Sequence, residues 1–117
     1  MKLSEHFDST EFNCKCCGKG GDKINPKLIE LLEAIRDKVG EPIHINSGYR
    51  CEAHNKAVGG KSHSHHKLGN AADIHVKSLT PAQLHKFLED HFKIGGMGLY
   101  ARFVHVDVRE GRARWTG

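Results

Sequence analysis

No run of apolar residues in this 117-residue chain approaches the roughly 20 that a membrane span requires, so no membrane partner is expected. The N-terminus MKLSEHFDSTEF is polar and lacks the apolar middle of a signal peptide, so no export route is expected from this chain itself. A dense Lys/Arg block is also missing. The 18 basic and 14 acidic residues leave a formal charge of +4, too mild to single out an anionic polymer. Cys14 and Cys17 have CxxC spacing within CKCC, but no second CxxC follows. With neither paired zinc-knuckle spacing nor a basic groove, no nucleic-acid partner is expected. Internal repeats and low-complexity tracts are absent. What remains is an ordinary globular composition, 38% hydrophobic and 27% charged, which at this length predicts one domain over 1–117 and a monomer.

Four cysteines stand out from that composition. Cys14, Cys16 and Cys17 crowd together, and Cys51 lies far along the chain in YRCEAH. Cys14 and Cys17 can hold a structural zinc with Cys51 and His54 completing the set. A disulfide to Cys51, or buried free thiols, are the alternatives.

Residues 1–24 are turn-rich and predict a loop-rich segment with one short helix, wrapped on the body. NPKLIELLEAIRDKVGEP marks a helix at both ends. Asn25 can cap it, Pro26 suits its first position, Gly40 stops it and Pro42 prevents continuation. Leu28, Leu32, Ile35 and Val39 recur at helical spacing and point to the core. PIHINSGYR reads as a strand entering a loop, and CEAHNKAVGG as a short helix closed by Gly59 and Gly60. LTPAQLHKFLEDHF is a second main helix, with Thr80 and Gln83 forming a capping box. AADIHV, GGMGLY and RFVHVDVRE read as strands. Mixed elements without βαβ alternation predict an α+β fold, with a mainly antiparallel sheet of four to five strands and two main helices.

The strands carry the chemistry. In FVHVDV, Val104, Val106 and Val108 share one face, and Phe103, His105 and Asp107 the other. In AADIHV, Ala72, Ile74 and Val76 oppose Ala71, Asp73 and His75. If the two strands are neighbours, Asp73 and His105 can converge, and His66 from the loop before adds a second imidazole. Two imidazoles and a carboxylate suit Zn²⁺ with one position left open. Solvated polar faces are the competing reading. His75 is expected as an outer histidine, and His63 and His65 compete with His66 for the ligand position.

SGYRCEAHNKAVGGKSHSHHKLGNAADI, followed by FVHVDVR and a late RARW, resembles the D-alanyl-D-alanine carboxypeptidase-like zinc peptidases, cell-wall enzymes that share a fold with the hedgehog signalling domain. The resemblance covers nearly the whole chain. Its Ser-x-His-x-x-Gly-x-Ala-x-Asp pattern falls on Ser64, His66, Gly69, Ala71 and Asp73, with His105 as the distant partner. It implies zinc held by His66, Asp73 and His105, a peptidoglycan stem or cross-link peptide as substrate, and Arg50 as a substrate-binding group. Ser47 and Tyr49 are expected to line the cleft. Trp115 is expected to pack the C-terminal segment or touch substrate. Relatives carry an acid a few positions before the last histidine, where this chain has Ala101 and Arg102. Asp107 is therefore the expected general base, or else a residue that orients His105 or Arg50. The expected activity is zinc-dependent hydrolysis at the cell wall, by an exported or phage-released enzyme; a catalytically silent zinc module that recognises wall peptides or a protein partner is the alternative.

Overall fold

The computed structural model describes residues 1–59 and 64–117. Gly60 and His63, named above, lie outside the described residues. Helix α1 (Pro26–Val39) begins where expected, with the Asn25 side chain accepting from the Lys27 N–H at 2.9 Å. It ends at Gly40, whose N–H returns to the Arg36 carbonyl. The short α2 (Glu52–Ala57) follows Cys51. Helix α3 (Pro81–His91) opens with the expected capping box of Thr80 and Gln83. No helix among the described residues is long and apolar enough to cross a membrane.

Five strands form one sheet: β1 (His44–Ser47), β2 (Ala71–His75), β3 (Gly96–Leu99), β4 (Val104–Asp107) and β5 (Ala113–Thr116), in spatial order β1-β2-β4-β3-β5. All neighbours are antiparallel except β3 and β5, which run parallel. The fold is thus α+β with a mainly antiparallel sheet. β5, which overlaps RARW and ends one residue past it, is a strand that the sequence reading does not contain.

Strand alternation divides the sheet into an apolar and a polar face. Ala72, Ile74, Met97, Val104 and Val106 are fully buried, and they join Leu28, Leu32 and Ile35 of α1 and Leu84 and Leu88 of α3 in one core. The opposite face carries Asp73, His105 and Asp107.

The N-terminal segment wraps the body through two 3₁₀ turns, Ser9–Phe12 and Gly21–Lys23. Phe7 and Phe12 are buried with ring centroids 6.0 Å apart, and the Phe12 carbonyl accepts from the Tyr49 N–H at 2.9 Å. Phe12 thus belongs to the core and also braces the loop after β1. Phe12→Ala is expected to cost about 3–5 kcal/mol, read as a lowered urea midpoint.

Candidate metal centre

The polar face is built in rows across the sheet. Asp73 pairs directly with His105, His105 with Gly98, and Gly98 with Trp115. The next row runs from Ala71 to Asp107 and on to Gly96. The glycines of β3 are open space for their neighbours. A Cβ on Gly96 would lie 2.2 Å from the Asp107 carboxylate, and one on Gly98 would lie 2.3 Å from the Trp115 indole. His66 arrives from the loop before β2. There Gly69 turns the chain at φ 73° with its backbone against the Lys23 carbonyl, in a conformation that side-chain-bearing residues rarely adopt.

The result is a tight cluster. Asp73 Oδ1 lies 3.2 Å from His66 Nε2 and 3.0 Å from His105 Nδ1. All three side chains are buried, and one donor atom from each falls within 4.8 Å of the others. Ligand bonds of about 2.0–2.2 Å in a tetrahedron place donor atoms about 3.3 Å apart, so this two-nitrogen, one-oxygen set fits Zn²⁺.

The outer nitrogens are fixed too. His66 Nδ1 donates to the Gly48 carbonyl at 2.7 Å, and His105 Nε2 donates to Asp107 Oδ2 at 2.8 Å. Each imidazole is thereby turned so that its other nitrogen meets Asp73, the arrangement that orients histidine ligands in metal sites.

Electrostatics follow the same contacts. Burial alone raises the Asp73 pKa, but hydrogen bonds from His105 and His66 outweigh it and hold the carboxyl down to about 2. Burial lowers the His105 pKa, and its bonds to Asp107 and Asp73 overcome that and raise it above the ordinary value.

Asp107 is fully buried, and both oxygens are engaged. Besides His105, it accepts from the Gly96 N–H at 2.9 Å, the Arg109 N–H at 3.1 Å, Arg109 Nε at 2.9 Å and Arg109 Nη2 at 2.7 Å. Burial would raise its pKa, and the His105 and Arg109 hydrogen bonds hold it well below the usual carboxylate range. Its oxygens are thus committed to His105, Gly96 and Arg109, and Asp107, the expected general base, is not among the residues that line the cleft.

The cluster opens into a cleft of about 560 Å³, within the usual range for ligand sites. Arg50 lines it, with Nη2 3.4 Å from Asp73 Oδ2 and Nη1 3.4 Å from Asn55 Oδ1. Trp115 lines it as well. Its Nε1 donates to the Tyr100 hydroxyl at 2.8 Å, its ring lies 5.0 Å from that of His105, and Arg109 sits over its face.

Ser47 and Tyr49 are not among the lining residues. The pairing register of β1 with β2 shifts between Ile45 and Ser47. Tyr49 instead packs on Gly20, with Lys23 Nζ 5.4 Å from its ring centre. His75 lies outside the cluster, stacked on His44 and hydrogen-bonded to Asn46.

His65 lines the cleft, and its Nδ1 is buried with no partner among the described residues. Burial lowers its pKa, which favours a neutral ring. The sequence reading treated His65 only as a competitor of His66. Tyr100, Phe103 and Arg109 also line the cleft, and their positions in the strand-flanking turn and after β4 give no separate sequence signal.

Comparison with known proteins agrees with this geometry. The Peptidase M15 family profile matches residues 5–107. The peptidoglycan L,D-endopeptidase MepK of Escherichia coli K12 is 30% identical over 98 residues, covering 76% of this chain and 53% of that protein. The protein of the same name in Shigella flexneri is equally similar. The zinc D-Ala-D-Ala carboxypeptidase of Streptomyces albus G is 34% identical over 87 residues, covering 72% of this chain and 34% of that protein. The chain spans about half the length of the endopeptidases and about a third of the carboxypeptidase.

Proposed function

Because the chain belongs to the Peptidase M15 family, we propose that it is a zinc-dependent peptidase that hydrolyses peptide bonds in peptidoglycan stem or cross-link peptides. One observation carries this reading: His66, Asp73 and His105 converge at a cleft with their outer nitrogens already tied. The relatives named for peptidoglycan endopeptidase and zinc carboxypeptidase activity support it.

Zinc held by these three residues would polarise the scissile carbonyl and lower the pKa of the attacking water. The chain's own groups do the rest. The Gly48 carbonyl and Asp107 keep the two imidazoles in the ligating tautomer and orientation. Arg50, at the cleft wall, offers a guanidinium fork to a substrate carboxylate or to the oxygen that becomes negative during attack. Its contact with Asp73 holds the fork near the reacting bond. His65, a neutral imidazole in the cleft lining, is assigned to take the proton of the attacking water and return it to the leaving amine. Tyr100, Phe103 and Trp115 form an apolar wall suited to the small side chains of stem peptides. Tyr49 acts at one remove, tying the loop that carries Arg50 to Phe12 and Lys23.

His65→Ala is expected to lower turnover about 10²–10⁴-fold with bound zinc unchanged, measured by steady-state kinetics beside metal analysis. The reading as a whole is tested by incubating purified peptidoglycan with the protein, with and without chelator, and identifying the products by mass. Chelator-sensitive release of peptide fragments is expected. Free D-alanine alone would mark a carboxypeptidase, and products from cross-links an endopeptidase. Zinc bound without any product would favour a recognition module instead, a reading supported by the absence of a free carboxylate among the described lining residues.

A further inference from the structure

A second cluster of ligand-type atoms lies outside this cleft. Cys14, Cys16, Cys17 and Cys51 offer four sulfurs that all fall within 4.8 Å of one another. Cys14 is buried, Cys51 is half-buried, and Cys16 and Cys17 are exposed. The group differs from the set expected from CxxC spacing, because Cys16 takes the place assigned to His54. The cause is a tight turn: the Gly18 N–H bonds the Cys14 carbonyl at 2.8 Å and the Cys14 N–H bonds the Lys19 carbonyl at 2.8 Å, which folds Cys16 round toward Cys51. His54 contributes only its backbone N–H, 3.4 Å from Cys51 Sγ.

We propose that these four cysteines bind a second, structural Zn²⁺, and that this ion fastens the N-terminal segment to the loop that carries Arg50. Three observations converge on it. First, Cys51 Sγ lies 3.5 Å from Cys14 Sγ and 3.4 Å from Cys16 Sγ, close to the edge of about 3.8 Å that zinc–sulfur bonds of 2.3 Å give a tetrahedron. Second, the donor set is closed, with four soft thiolates and no position left for water, as structural rather than catalytic zinc requires. Third, backbone N–H groups already point at the sulfurs: that of Cys51 at Cys14 Sγ, 3.4 Å away, and that of His54 at Cys51 Sγ. Such contacts stabilise thiolate charge around a bound cation. Lys15 and Lys19 in the same loop partly offset the net negative charge of four thiolates and one Zn²⁺.

The placement gives the ion its role. Cys51 directly follows Arg50, and Gly48, which orients His66, lies three residues before Cys51. On the other side, Cys14 lies two residues after Phe12, whose carbonyl holds the Tyr49 N–H. A metal across this junction joins residues 37 apart in sequence and keeps the Gly48–Arg50 loop in register with the cleft. The proposal does not depend on the cleft's being catalytic.

The test uses the intact chain. Metal analysis should find about two zinc ions per chain, one of them released by a thiol-reactive mercurial. Replacement by Co²⁺ should produce a thiolate-to-cobalt charge-transfer band. That band should persist in His66→Ala/His105→Ala, which keeps the outcome separate from the fate of the peptidase reading. Cys17→Ser, a change at an exposed thiol, should lose the band and one metal and bind substrate more weakly. Four thiols that alkylate freely in the zinc-loaded native protein would overturn the proposal. So would a disulfide between the cluster and Cys51 in protein purified without reductant, or iron in place of zinc.

Discussion

Asp73→Ala is expected to lower peptidoglycan hydrolysis by about three orders of magnitude or more and to remove one metal ion from the chain. The carboxylate is the hub of the cluster: one oxygen meets both imidazoles, and the other meets Arg50. Its loss leaves two histidines, too few to hold zinc firmly, and frees Arg50 from the cleft wall. The fold should survive, because the core side of β2 is Ala72 and Ile74, which the change does not touch. Zinc analysis, a thermal melt and product detection by mass check the three parts together. A folded variant that still cleaves at the native rate would remove this cluster from the reaction.

Asp107→Ala is expected to weaken metal binding about 10–100-fold and to destabilise the protein by about 3–5 kcal/mol. The stability loss comes from the groups left behind. The Arg109 guanidinium and the Gly96 N–H lose their partner, and His105 loses the anchor that sets its tilt. Asp107→Asn is the sharper variant. It keeps an acceptor for His105 or Arg109 while losing the charge. If Asp107 only orients His105, excess zinc should restore most of the Asn variant's turnover. If it takes the reaction's proton, saturating zinc should not rescue it. Zinc titration of activity separates the two, and His65→Ala should show the reverse pattern, with metal retained and turnover lost.

Much of this arrangement was legible in the alternation of two strands. FVHVDV and AADIHV each place valines, isoleucine or alanine on one side and His/Asp on the other, and β2 and β4 do pair with Asp73 opposite His105. Both main helices were legible from their caps, because capping is a local hydrogen-bond problem that sequence states directly.

What was hidden depended on partners distant in sequence. β5 is four residues long and carries Arg114 inside it, and it pairs in parallel with a strand that is half glycine. GGMGLY reads as a strand, but nothing in it tells that Gly96 and Gly98 make room for Asp107 and Trp115. The sequence brings Asp107 beside His105 but says nothing of Arg109 and Gly96 closing around its oxygens. The register shift between Ile45 and Ser47 is likewise invisible in PIHINSGYR.

The direct cross-strand pairing of Asp73 and His105 has a consequence for how this site can change. Side chains switch sides of a pleated ribbon with every residue, so a one-residue slip of β4 against β2 would drive His105 and Asp107 into the oily interior and push Val104 and Val106 outward, and an insertion or deletion inside β4 would do this to the part of the ribbon on one side of it. Foldability and reactivity are therefore lost in the same step, and lineages of this protein should tolerate length variation in the turns that border these two ribbons but not within them.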